Sequence, residues 1–264
     1  VSEGGKMSSY RVGLLVPSSN TTMEAEVPEV LRANGSTTGD RFTFHASRMR
    51  MKKVDPQELM AMNASAERAT TELADAAVDV MAYACLVAVM AAGPNAHRTI
   101  EERLTKVASQ SGGTVEVISS AGALVEGIRE LGAKKIAMVA PYMKPLTSQV
   151  VDYIEAEGIE VMDVISLEVE DNRAVGRLDP MRLPHIAHRL DTHDADAVVL
   201  SACVQMPSLA AIPAAEAMLG LPVISAATAT SWKILRSLGV APVAADAGAL
   251  FDGGARGEQP ALRG

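Results

Sequence analysis

The sequence has little to stack and little to cross-link. Only eight of its 264 residues are aromatic, and only two are cysteine. Lys and Arg are nowhere concentrated and the net charge is −8, so the basic footprint that a nucleic-acid surface needs is absent. The longest apolar run, from Ala82 to Gly93, is far shorter than the roughly 20 residues that span a bilayer. The leading V-S-E-G-G-K-M has neither the apolar segment nor the small-residue cleavage site of a secretory signal, so a cytoplasmic protein is expected. Neither G-x-G-x-x-G nor G-x-x-x-x-G-K-S/T occurs, and His45, His97, His185, His188 and His193 show no metal-ligand spacing. No nucleotide, metal or other cofactor is implied, and the 14 methionines read as core filler.

What is present is alternation. Short apolar or β-branched runs at Arg11–Val16, Arg41–His45, Val78–Ala84, Val115–Ile118, Lys135–Val139, Ile159–Ile165, Asp196–Leu200 and Pro222–Ile224 predict strands. Amphipathic stretches lie between them. One of these, Pro56–Ala77, follows an Asp and has Pro in its first turn, as a capped helix should. The β-α-β-α order predicts an α/β fold of parallel sheets flanked by helices.

The chain also repeats itself. Val117–Gly132 resembles Val223–Gly239, Val12–Ser18 resembles Ile136–Tyr142, and the run ending at Cys85 resembles the run ending at Cys203. Each half thus holds a strand ending in Pro and a polar residue, and another ending in Cys. Two such halves form pseudo-symmetric lobes around one cleft, because ligands in open α/β sheets bind beyond the carboxyl ends of the strands. The expected division is 11–119 with 227–251 as one lobe and 120–226 as the other, leaving 1–10 and 252–264 as flexible termini.

The repeat therefore places two thiols in one site. A cysteine is commonly a small buried hydrophobe, but equivalent positions at two strand-to-helix turns favour chemistry, since backbone N–H groups there lower a thiol pKa. Asn20 is either a turn cap or an uncharged donor to a carboxylate, and Asn172 carries the same ambiguity. The Tyr142 hydroxyl either points into the cleft or packs at its rim. Arg48 and Arg50 share one face of an extended segment, to attract a dianion or to serve an interface.

Taken together, V-P-S-S-N-T-T-M-E, Y-A-C-L-V-A-V-M, V-A-P-Y-M-K-P-L, E-D-N and S-A-C-V-Q-M-P-S resemble the maleate cis–trans isomerases, cofactor-independent two-cysteine enzymes of the aspartate/glutamate racemase superfamily. The resemblance spans about residues 10 to 250. It implies Cys85 as nucleophile and Cys203 as proton donor or second acid/base. It further implies Asn20, Tyr142 and Asn172, with main-chain groups of Leu86, Val87, Val204 and Gln205, as binders of the substrate carboxylates. A homodimer, a maleate substrate and a place in nicotinate breakdown are also implied. Two other readings stand beside it: an Asp/Glu-type racemase in which both thiols flank one carbon, and a non-catalytic dicarboxylate-binding protein.

Overall fold

The computed structural model describes residues 7–252 except 55 and 113. All eight expected strands form, and they divide into two four-stranded parallel sheets of the same order. In the first sheet β1 (Ser9–Pro17) lies between β2 (Arg41–Met49) and β3 (Val80–Tyr83), and β4 (Glu116–Ser119) pairs with β3. In the second, β5 (Lys135–Ala140) lies between β6 (Glu160–Ser166) and β7 (Ala197–Ser201), and β8 (Val223–Ser225) pairs with β7. β1 is buried from Val12 to Pro17 and β5 from Ile136 to Ala140, as expected of strands covered on both faces.

The helices, in chain order, are α1 (Met23–Thr38), α2 (Pro56–Ala64), α3 (Ala66–Asp75), α4 (Leu86–Met90), α5 (Ala96–Gln110), α6 (Ser120–Glu130), α7 (Lys144–Ala156), α8 (Asn172–Val175), α9 (Leu183–Ala187), α10 (Ile212–Leu219) and α11 (Ala226–Ser237). The strand order reverses direction at β1/β3 and again at β5/β7, where the chain leaves the central strand first to one side and then to the other. At such a switch point the two following loops part and leave a crevice. Pro17 and Cys85 lie at the first crevice, and Pro141 and Cys203 at the second.

The most similar pair of repeats becomes a physical pair. Ser119 and Ser225 cap α6 and α11, each side-chain oxygen accepting a backbone N–H, from Gly122 at 3.0 Å and from Thr228 at 3.2 Å. The two helices pack on one another, with Thr230 donating to the Ser120 hydroxyl at 3.0 Å. Gly127 leaves room beside this pair, since a Cβ there would lie 2.8 Å from Ile224 Cδ1 of β8 and 3.5 Å from Ala229 Cβ of α11. α11 also packs on α1 and against β3 and β4, so the last long helix returns to the first sheet.

Two expectations are corrected. The helix expected over Pro56–Ala77 is broken at Ser65, whose N–H bonds to Met62 O at 2.9 Å, a tighter turn than an α-helix makes. The Ser65 hydroxyl bonds to Ala61 O, while the neighbouring Asn63 is held by the buried Tyr83 hydroxyl. The Asp expected to precede this helix lies outside the described residues. Ser9 and Tyr10, expected in a flexible terminus, belong to β1 because they pair with Arg41 and Phe42, and Tyr10 stacks on Phe42. Asp252 likewise bridges to Val243. Ser8, from the same expected terminus, bonds to the Asp40 carboxylate at 3.1 Å and accepts the Arg41 N–H at 2.9 Å, and residues 1–6 and 253–264 lie outside the described residues.

Candidate active site

Strand ends from both halves enclose a small inner chamber of about 20 Å³. Its walls are Pro17, Asn20, Cys85, Leu86, Val87, Tyr142, Asn172, Cys203, Val204 and Gln205, with Met51 and Val54 added from the segment after β2. All nine residues that the resemblance implies are thus brought together, although 184 positions separate Asn20 from Val204, whereas Arg48 and Arg50 are not on this wall. The chamber adjoins an outer one of about 930 Å³ that shares Met51, Val54, Tyr142 and Asn172.

The turn after β1 is bound to the turn carrying Cys203. Asn20 donates to Val204 O at 3.0 Å and its own side-chain oxygen accepts the Met23 N–H at 3.0 Å, so it is both the cap of α1 and a wall of the chamber. Gln205 is the bracket between the halves: its amide nitrogen donates to Ser19 O and Asn172 O, both at 3.1 Å, and its oxygen accepts the Thr21 N–H at 3.1 Å. That amide lies so close to Gly176 that a Cβ there would be 2.4 Å from Gln205 Nε2. Asn172 in turn donates to the Ser19 hydroxyl at 2.8 Å.

Apart from Arg48, the other residues that fasten these turns escaped the sequence reading. Thr22 donates to Gln205 O at 2.7 Å. The buried Glu26 carboxylate accepts N–H groups from Ser208 and Leu209, at 2.6 and 2.9 Å. Arg48 donates to Ser18 O and Asn20 O, both at 3.0 Å, and pairs with Glu24. Its guanidinium therefore braces the β1–α1 turn, a use that neither expectation for it foresaw. The polar run after Pro17 was a signal for Thr22; nothing local marked Met51 or Val54.

The two sulfurs sit differently. Burial pushes the Cys85 thiol up to about 12, with Cys203 across the chamber adding to the shift and one backbone N–H, of Ala88, opposing it. The expected lowering of its pKa does not occur, since α4 is only five residues long and desolvation outweighs that single donor. Burial raises Cys203 too, but the Tyr142 hydroxyl and the N–H groups of Gln205 and Met206 oppose it, the Gln205 nitrogen lying 3.3 Å from Sγ. Burial holds the Tyr142 phenol well above its ordinary pKa, so it remains a proton-bearing donor.

None of the described residues lining the inner chamber is charged. Neutral N–H and O–H groups beside two thiols can hold a carboxylate and deliver sulfur and proton to a carbon between them, which suits addition to or proton transfer at a small acid. Among the described residues no group of three or more His, Cys, Asp and Glu is placed to hold a metal ion, and no helix is long and apolar enough to cross a membrane.

Fold and site define a class, the two-lobed α/β proteins that bring one thiol from each lobe into a shared cleft, and comparison with known proteins narrows it. Residues 12–251 match the family model described as arylmalonate decarboxylase. The chain is 57% identical to a maleate isomerase of Geobacillus stearothermophilus, over 92% of this chain and 98% of that one. The crystal structure of the maleate isomerase Iso from Pseudomonas putida S16 superposes with a TM-score of 0.92 at 53% identity, covering 94% of this chain and 99% of that one. A Nocardia farcinica maleate cis–trans isomerase, a Cys-to-Ser variant with a covalently bound succinylcysteine intermediate, matches with a TM-score of 0.89 at 47% identity, over 92% and 98% of the two chains. The chain belongs to the arylmalonate decarboxylase family and, within it, to the maleate isomerases.

Proposed function

We propose that this chain isomerises maleate to fumarate through a covalent succinyl-type adduct on Cys85, with Cys203 as the proton donor. The observation that carries the mechanism is the single uncharged chamber with one thiol from each half; the succinylcysteine found in the Nocardia relative supports the covalent route.

Maleate cannot rotate about its double bond, so that bond must become single for a moment. Burial keeps Cys85 protonated at rest, so the cycle begins with its thiol proton passing to solvent. The thiolate then adds to one alkene carbon, and the displaced electron pair moves to the other carbon and into its carboxylate. Cys203 gives its proton to that carbon and is left as a thiolate. Rotation about the new single bond follows. Cys203 then retrieves a proton from the same carbon, the carbon–sulfur bond breaks, and fumarate leaves with the Cys85 thiolate restored. Nothing is oxidised or reduced overall.

The contacts around Cys203 fit this role, since the Tyr142 hydroxyl and two N–H groups are placed to stabilise its sulfur while the proton is on the substrate. Asn20, Asn172 and Tyr142, with main-chain groups of Leu86, Val87, Val204 and Gln205, are the proposed carboxylate binders. The Val204 carbonyl accepts from Asn20 and the Gln205 N–H donates to Cys203 Sγ, which ties both residues to the wall that would face the substrate. The same reading includes a cytoplasmic homodimer that acts in nicotinate breakdown, and lobes of 11–119 with 227–251 and of 120–226; the return of α11 to α1 supports that division.

A proton NMR time course with maleate in D₂O, followed by mass spectrometry of the protein, tests the reading. Fumarate together with a succinyl-sized adduct on the Cys85 peptide is the expected result. Deuterium entering the α-carbon of aspartate or glutamate without fumarate would instead make the thiols a racemase's paired bases. Dicarboxylate binding without any turnover would make the chain a binding protein.

A further inference from the structure

The inner chamber poses an electrostatic problem if its substrate is a dianion, an inference that rests on the reading above. The chain carries a net charge of −8, and no described residue of the inner wall is cationic. Approach of a dianion is therefore opposed from a distance and unassisted at the end.

The charges that can change this lie on the outer chamber, which shares Met51, Val54, Tyr142 and Asn172 with the inner one. Its charged wall residues are Lys52, Lys53, Glu170, Asp171 and Arg173. Asp171 and Arg173 neutralise one another, with guanidinium-to-carboxylate distances of 3.4 Å and an Arg173 N–H bond to Asp171 at 2.9 Å. Lys52 and Lys53 are exposed, and among the described residues neither ammonium is in an ion pair. That leaves two cations against Glu170.

These two lysines are also held where they can act. They lie between Met51 and Val54, whose side chains line the inner chamber. The segment is fixed through its backbone: Met51 exchanges bonds with the Ser18 hydroxyl at 3.0 and 3.2 Å, and the Glu58 carboxylate accepts the N–H groups of Lys52 and Lys53. Anchoring through the main chain keeps both residues on the outer wall and leaves their ammonium groups outside the ion pairs of the described residues. The Glu58 charge lies beside the same segment and moderates their field.

We propose that Lys52 and Lys53 form a cationic gate that draws dianions to the chamber and selects them over monoanions, acting before the chemical step. Steering of this kind raises association rates by roughly 10- to 1,000-fold and is screened beyond about 8 Å at physiological ionic strength.

The test compares the wild type with K52Q/K53Q, K52R/K53R and E170Q, using maleate and monomethyl maleate between 10 and 300 mM salt, taken as a range over which screening changes on the order of several-fold. In K52Q/K53Q at low salt, kcat/KM for maleate should fall about tenfold with kcat nearly unchanged, its salt dependence should flatten, and the monoanion should be affected far less. K52R/K53R should keep wild-type behaviour, and E170Q should raise kcat/KM. A double Gln variant with the wild-type kcat/KM and salt slope overturns the gate. So does a fall confined to kcat, or an equal loss for both substrates. A wild type that leaves maleate unconverted removes the isomerase reading instead; maleate affinity measured by calorimetry on the wild type and K52Q/K53Q then decides the gate, which equal and equally salt-dependent affinities would overturn.

Discussion

The two halves of the molecule share strand order, strand direction and the position of a thiol after the strand next to the central one, yet they treat that thiol differently. In the second half Cys203 is held by a fastened turn: Ser201 donates to Cys203 O at 2.8 Å and to Met206 O at 3.3 Å, and three donors reach the sulfur. In the first half Cys85 leads directly into α4, whose five residues are all buried and apolar, and one N–H reaches the sulfur. The repeat thus supplies a symmetric frame, and on the proposed assignment the asymmetry between an adding sulfur and a proton-carrying one resides in hydrogen bonds. A sulfur surrounded by donors can exist without its proton. One with a single donor in an apolar wall gains more by bonding to carbon.

The largest effect should come from exchanging the thiols for hydroxyls one at a time. Cys85→Ser should lower kcat on the order of 10³-fold or more and abolish the adduct, because a hydroxyl is a far poorer nucleophile at neutral pH. Cys203→Ser should retain adduct formation in mass spectra while turnover falls. Equal behaviour of the two variants would mean that the halves are interchangeable.

Tyr142→Phe removes one of the three donors at Cys203 while keeping the ring. Loss of a hydrogen bond to a charged group is worth about 1.5–3 kcal/mol, so kcat should fall roughly 10- to 100-fold, with adduct formation at Cys85 little changed in rapid-quench measurements. An effect on adduct formation alone would place the hydroxyl's role at the other sulfur.

Gly176→Ala acts on the contact between halves rather than on either sulfur. The added Cβ would meet the Gln205 amide at 2.4 Å, displacing the side chain that bonds Ser19, Thr21 and Asn172. Urea unfolding should show a loss of about 1–3 kcal/mol, accompanied by a severalfold fall in kcat/KM.

The effect furthest from the comparison of the two halves is on the pH dependence of stability. Cys85 is raised to about 12 in the folded chain, so its protonated form is favoured by folding. That contribution is complete below the ordinary thiol pKa of about 8.5 and is lost as pH rises from there toward 12. Unfolding free energy should therefore decline above about pH 8.5, and Cys85→Ala should show a shallower decline. An unchanged slope would place the titrating group elsewhere.

The strands were legible because their signal is local: short buried runs between turn residues, as in Arg11–Val16 and Asp196–Leu200. The chamber's principal residues were legible through repetition, since Pro17 answers Pro141 and Cys85 answers Cys203. The break at Ser65 was not, because it depends on Asn63 reaching the Tyr83 hydroxyl and the backbone of α4, contacts that helical periodicity does not encode.

The sequence by itself determined two parallel α/β halves and the meeting of two strand-end cysteines, because alternation, turn residues and repeat spacing are properties of neighbours along a chain. Only the tertiary structure decided that Gln205 and Glu26 lock the halves together, that Arg48 braces a turn, and that Cys203 has three donors where Cys85 has one. Those outcomes depend on where individual N–H and C=O groups point once segments up to 186 positions apart are packed, and on how completely packing removes water from each sulfur.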